Sequence, residues 1–213
     1  MLRIKLKNFL LEITGLKARK VRLQSYSRQQ EKFIERYPNY LIGEASYGMP
    51  IVHDNNEGTT LKIGAYCSIA SNVQIFLGGQ HRSNWASNYP FPFFFAMDAK
   101  YREEYTRGGS RGDVVIGSDV WLCSNCIILS GVTIGHGAIV ANGSVISRDV
   151  APYAVMAGNP AKQIKWRFDE TTRNSLLEVA WWEWPKSEIK QILDKICNVD
   201  LTDLLNYAKA RKH

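Results

Sequence analysis

IGSDVW, LCSNCI, ILSGVT, IGHGAI, VANGSV and ISRDVA, residues 116–151, follow one another without a gap as six-residue units. The first position is always aliphatic: Ile116, Leu122, Ile128, Ile134, Val140 and Ile146. The fifth is small or aliphatic: Val120, Cys126, Val132, Ala138, Ser144 and Val150. Upstream, IGAYCS and IASNVQ (residues 63–74) obey the same grammar, and a shorter echo, IGEASYG, starts at Ile42. A period of six is neither the helical 3.6 nor the strand alternation of two. It suits a solenoid in which three short strands and three turns close one triangular coil, with the aliphatic position pointing inward. Gly64, Gly117, Gly135 and Gly143 fall at or near the turns, where glycine tolerates positive φ without a Cβ penalty. The expected fold is mainly β: a left-handed parallel β-helix of hexapeptide repeats.

Between Ile75 and Val114 the repeat breaks. The insertion, GGQHRSNWASNYPFPFFFAMDAKYREEYTRGGSRGD, is rich in aromatic residues, glycine and charge. A purely structural β-helix predicts uninterrupted coils and regular faces. A long excursion loop, about residues 77–113, points instead to function. The expected organisation is a basic N-terminal helical segment (1–38), the β-helix with its excursion (39–166), and a C-terminal helical segment (167–213). In that last segment Asp169 caps a helix carrying Leu176, Leu177, Ala180 and Trp181, which Pro185 ends. Ser187 opens a second helix with Ile189, Ile192, Leu193 and Ile196 on one face. These helices are expected to cover the end of the solenoid.

The chain has 213 residues and a net charge of +7, with Lys and Arg spread along it and no nucleic-acid reader motif beside them. Solvated surface and attraction of an anionic small ligand both account for that charge. There is no apolar run long enough to span a membrane. The start, MLRIKLKNFLLEITGLKARK, is too interrupted for a secretory signal, so the chain reads as cytoplasmic. Leu2, Leu6, Phe9, Leu10, Ile13 and Leu16 stand at helical spacing beside Arg3, Lys5 and Lys7. Such a helix docks on its own protein or rests on the inner face of an anionic membrane. Cys123 and Cys126 form a C-x-x-C, but no second pair completes a zinc site, and the repeat gives both a structural place.

The hexads, the GGQHRSNWASNYPF stretch, the IGSDVW restart, the ending APYAVMAGNPAKQIKWRF and the later WWEWP together resemble the xenobiotic acetyltransferase group of hexapeptide acyltransferases. That group includes streptogramin and chloramphenicol acetyltransferases and bacterial surface-sugar O-acetyltransferases. The resemblance runs from about Asn39 to Cys197. It implies a homotrimer with acetyl-CoA in the groove between adjacent β-helices, no metal and no covalent acetyl-enzyme. The implied reaction is direct attack of an acceptor hydroxyl on the thioester. The acceptor expected first is a surface saccharide or its precursor. An antibiotic is the alternative, and a non-catalytic trimeric β-helix is the reading from another class.

Histidine suits proton removal near neutral pH. Of the four histidines, His213 is terminal, His53 sits by the charged loop HDNNEG, and His136 occupies a turn and is expected at the surface. His81 stands where the repeat breaks and matches the family's catalytic histidine. The resemblance places Ser124 beside the pantetheine arm, as a candidate oxyanion donor or a plain turn serine. Asn142 follows it by eighteen residues, one coil on. Backbone groups of Ala141 and Asn142 are candidates for binding the pantetheine amides, and Ser147 matches a further contact. Gly158-Asn159-Pro160 reads as a turn, and Lys162 and Lys165 after it fall where the resemblance puts the phosphates of CoA. Trp121 either packs or lines the cofactor groove. Phe91, Phe93, Phe94 and Phe95 read as an anchor for the loop. Trp85 and Tyr89 flank His81 as acceptor-stacking candidates.

Overall fold

A computed structural model describes residues 27–211. The expected basic helix over Leu2–Leu16, its membrane reading and His213 lie outside those residues. Residues 27–36 are helical (α1), and Phe33, fully buried, plugs the first coil from that side.

Three sheets, parallel but for the last strand of the second, form a triangular solenoid. The first holds β1 (Leu41–Ile42), β3 (Leu61–Ile63), β6 (Val114–Ile116) and β9 (Thr133–Ile134). The second holds β4 (Ser68–Ile69), β7 (Trp121–Leu122), β10 (Ile139–Val140), β12 (Ala154–Gly158) and β13 (Ala161–Trp166). The third holds β2 (Ile51–His53), β5 (Gln74–Phe76), β8 (Ile127–Ile128) and β11 (Val145–Ile146). Each hexad supplies one strand and one turn, so the chain visits the sheets in rotation. First positions pair with first positions one coil on: Ile116 with Ile134, Leu122 with Val140, Ile128 with Ile146. Their side chains fill the prism, and each contributes roughly 1.5–3 kcal/mol of burial before entropy is subtracted.

Only one of the turn glycines singled out from the sequence uses the left-handed backbone open to it. Positive φ falls on the fourth hexad position: Asp119, Asn125, Gly131, Gly137 and Gly143. Gly64, Gly117 and Gly135 are not among them; only Gly143 is. Those three, with Gly43, form a column at the corner between the first and second sheets. There a Cβ on Gly64 would meet the Gly117 carbonyl carbon at 2.6 Å, and one on Gly117 would meet the His136 nitrogen at 2.7 Å. Glycine is needed because successive coils touch backbone to backbone.

The insertion leaves this stacking intact. Ile63, Ile69 and Ile75 pair with Ile116, Leu122 and Ile128 across it. Between β5 and β6 the chain carries two helices, α2 (Phe91–Phe94) and α3 (Ala99–Arg107).

After β12 the chain reverses through a cis Asn159-Pro160 bond into antiparallel β13, which closes the edge of the second sheet. Then come α4 (Glu170–Val179), a 3-10 turn (Trp181–Glu183), α5 (Lys186–Gln191), α6 (Leu193–Ile196) and α7 (Thr202–Arg211). Asp169 caps α4 as expected, accepting the Thr172 N–H at 2.8 Å. Pro185 does not end that helix. It stops earlier, at Ala180 in the left-handed region (φ 42°), which swings Trp182 onto the solenoid. The stretch expected as one helix from Ser187 is broken at Ile192, whose buried side chain joins the cluster under the helices. The cluster includes Ala65, Tyr66 and Tyr153, so the helices lie along the glycine-column corner rather than over the solenoid end.

His136 is half-buried there, which corrects the surface placement expected of it. Its ring stacks on Trp182 at 4.7 Å, and its Nδ1 accepts the Ser118 N–H at 2.9 Å. A backbone N–H only donates, so Nδ1 is unprotonated and a second proton would face that donor. Burial holds this imidazole below the usual histidine range, against the pull of Glu183. A depressed histidine stabilises the fold fully above the unfolded value of about 6.5 and loses that contribution as pH falls below it. Wild-type unfolding midpoints should therefore drop more between about pH 7.5 and about pH 5.5 than those of His136→Gln. Parallel curves for the two proteins would discount the latch.

Cys67, Cys123 and Cys126 are buried, Cys197 is exposed, and all four thiols are unpaired. Burial pushes Cys67 up to about 11 and Cys126 up to about 12. Native protein should thus release about one thiol equivalent rapidly with an aromatic disulfide reagent, the rest following only on denaturation. Rapid release of two or more would contradict this packing.

Candidate functional site

The corner between the third and first sheets is where the solenoid opens. Its neck is Leu77–Gln80 on the way out and Gly109–Arg111 on the way back. The buried Leu77 carbonyl accepts hydroxyls from Thr59 (2.7 Å) and Ser110 (2.6 Å), and Gln80 donates its N–H to the Gly109 carbonyl at 2.8 Å. These bonds deliver His81 to the surface on a rigid base.

The His81 ring is exposed, and its Nδ1 lies 2.6 Å from the Asn88 carbonyl oxygen. A carbonyl only accepts, so Nδ1 carries the proton and Nε2 keeps a free lone pair. The imidazole is thereby in the tautomer that a base needs. It borders a cavity of about 510 Å³ that also touches Asn55, Glu57, Gln80, Phe93 and Tyr105. Tyr105, 7% exposed, meets the rings of His81, Trp85 and Phe93 edge-on at 6.0, 5.8 and 5.5 Å. Burial, and then the charge of Glu57, raises its phenol, so it stays a hydroxyl donor at neutral pH. Trp85 also walls a second, largely apolar hollow of about 670 Å³ with Phe91, Met97 and Tyr101.

The other expected site residues occupy different parts of the solenoid. Ser124 and Asn142 sit on the corner between the second and third sheets, one coil apart; Gly143 donates its N–H to the Ser124 carbonyl at 3.0 Å. At Ala141 the N–H is already donated to the Met156 carbonyl at 2.9 Å, so of its backbone groups the carbonyl is the one left to meet an incoming amide. Ser147 follows β11 at the same corner as the excursion. Asn159 lies in the cis-proline turn, and Lys162 and Lys165 are exposed on β13. None of these lines the His81 cavity. Tyr89 is 48% exposed and its ring stands 5.0 Å from Phe91.

Two expectations change in physical character. The run Phe91, Phe93, Phe94 and Phe95 does not anchor the loop, since all four rings are exposed; Pro92 and Tyr105 are the buried residues of those two helices. Trp121 is 51% exposed on the outer face of the second sheet, so it does not join the core of its own chain. The third sheet's outer face, between the Ser124 and His81 corners, carries Ile51, Phe76, Ile127, Leu129 and Val145 as well as Gln74 and His53. It is largely apolar and only partly covered.

Sequence reading missed Glu57 and Tyr105. Glu57 lay in the HDNNEG loop beside His53, a hint of chemistry without a partner. Tyr105 had no local signal, being one of two tyrosines in a charged helix.

The bacterial transferase hexapeptide (six repeats) family matches residues 113–148. Chloramphenicol acetyltransferase of Escherichia coli is 35% identical over 182 residues, 78% of this chain and 86% of that one. A probable macrolide acetyltransferase of Lysinibacillus sphaericus is 39% identical over 155 residues, 71% of this chain and 86% of its own. Virginiamycin A acetyltransferase of Staphylococcus aureus is 34% identical over 173 residues, 76% of this chain and 79% of its own. With this coverage at this identity, and with the hexads pairing coil on coil, the chain belongs to the hexapeptide-repeat acetyltransferases, in the group that holds the chloramphenicol and virginiamycin enzymes.

Proposed function

We propose that this chain transfers acetyl from acetyl-CoA directly to a hydroxyl of a small acceptor, with His81 as the general base. The supporting observation is the 2.6 Å contact from Nδ1 to the Asn88 carbonyl beside a cavity, which leaves Nε2 able to take a proton. In the step, Nε2 accepts the hydroxyl proton as the oxygen attacks the thioester carbonyl. The tetrahedral oxyanion collapses, the C–S bond breaks, and the proton passes to the departing CoA sulfur. Ser124 is the candidate donor to that oxyanion.

His81 and the candidate cofactor residues Ser124, Asn142, Ser147, Asn159, Lys162 and Lys165 do not share a pocket in one chain. A site assembled between subunits reconciles them. The apolar outer face with Ile51, Phe76, Ile127 and Leu129 supplies a surface for that packing, and a left-handed coil in a homotrimer is the arrangement proposed.

For the acceptor, an aromatic antibiotic of the chloramphenicol class is the reading best supported. The hollow walled by Trp85, Phe91, Met97 and Tyr101 is largely apolar and is linked to His81 through Tyr105, and the Escherichia coli relative is a chloramphenicol acetyltransferase. A saccharide hydroxyl, with the exposed Tyr89 ring as a stacking face, is the second reading. Free-thiol release from acetyl-CoA should be followed with chloramphenicol, a streptogramin and a panel of sugars. His81→Ala should keep its fold and lose about 100-fold or more of the turnover. Unchanged turnover in that variant removes His81 as the base, and thiol release with sugars alone moves the acceptor to the second reading.

A further inference from the structure

We infer that Glu57, in the connection between β2 and β3, is a positioning residue for His81: its carboxylate is the spacer that holds the two ends of the excursion at their working separation. This inference rests on His81 being the base.

The observations are geometric. Glu57 comes from one coil, and the neck of the excursion from the next. Its Oε2 accepts the Gly79 N–H at 3.1 Å, two residues before His81. Both neighbouring glycines are shaped around the same group. A methyl on Gly78 would fall on Oε2, and a methyl on Gly109 would fall on Oε1. Neither glycine has a positive φ, so the missing side chains serve the carboxylate and not the backbone. One oxygen therefore sits over the outgoing strand of the neck and the other over the returning strand. On the far side Ser130, 3% exposed, accepts from Gln80 Nε2 at 3.0 Å and from the Arg111 N–H at 3.2 Å. The neck is thus gripped from the coils on both sides, and the residue after Gln80 is His81. The ring has one further tether, the Asn88 carbonyl, which the excursion itself carries. If the neck shifts, the outgoing backbone and Asn88 move relative to each other, and the Nδ1 bond that selects the tautomer lengthens. A displacement of about 1 Å at a reacting group costs up to about 100-fold in rate.

The test uses the full-length protein and two readouts. The ¹⁵N signals of the His81 imidazole report its tautomer without substrate. Turnover of acetyl-CoA with chloramphenicol reports kcat and KM. In wild type the Nδ1–H form should dominate. Glu57→Ala should average the two tautomers and lower kcat about 10- to 100-fold, with the KM for acetyl-CoA little changed. Glu57→Gln keeps the volume and one oxygen for the Gly79 N–H, so it should restore most of both. Gly109→Ala should copy Glu57→Ala while leaving Glu57 in the chain, because the methyl displaces the carboxylate. In the Glu57→Ala background, Gly109→Ala should add nothing. A wild-type tautomer in Glu57→Ala or Gly109→Ala, or additive losses in the double variant, overturns the inference. If His81→Ala retains turnover, the base assignment has failed instead, and the ¹⁵N signals still decide whether Glu57 orients the ring.

Discussion

Coil sits on coil with no side chain between them at one corner of the prism, and everything else in this molecule depends on that contact. Parallel strands about 4.8 Å apart leave no space for a Cβ where the chain turns sharply from the first sheet to the second. The column Gly43, Gly64, Gly117 and Gly135 answers that constraint. The inward aliphatic residues then stack in register, each first position over the next, and form one continuous buried core. The outward surface is left free to carry other things.

What it carries is an insertion whose two ends leave and rejoin the solenoid without a slip. Ile75 pairs with Ile128 as though nothing intervened. A slip of one residue would turn the aliphatic column outward, so register is strongly enforced on both sides of the neck. The excursion is consequently a separate small structure on a stiff mount. Its one buried ring is Tyr105, which the rings of His81, Trp85 and Phe93 meet edge-on from the outside. Its exposed phenylalanines are surface, available to ligand or neighbour. Under the proposed mechanism this division is the useful one: the scaffold holds position, while the excursion carries the imidazole and its aromatic surroundings.

The C-terminal helices add a second anchor at the glycine-column corner. Trp182 stacks on His136, and Arg167 bridges Asp119 at 2.9 Å and the Gly137 carbonyl at 2.7 Å. Asp119 and Gly137 are turn residues of successive coils, so these bonds clamp the corner from outside. Burial raises the Asp119 carboxyl and Arg167 opposes it, which keeps this polar contact paired inside an otherwise apolar seam.

The coils were legible because a period of six leaves its mark in adjacent residues: Ile116 to Ile146 and Val120 to Val150 declare their direction without reference to anything distant. Asp169 as a cap and the break in the repeat at the excursion were readable for the same local reason. That His81 stands on the excursion just past that break was readable too, while its role as the base is a proposal that rests on the family likeness and the Asn88 contact. Three features depended on residues far apart in the chain and needed the tertiary structure. The glycine column is a matter of backbone stacked between coils, not of φ. The Ala141 amide was spoken for by Met156, fifteen positions later. Glu57, Tyr105 and His136 acquired their surroundings only when separate coils and helices met. Short-range periodicity is written in composition and spacing. Which polar group faces which depends on how the coils close against one another.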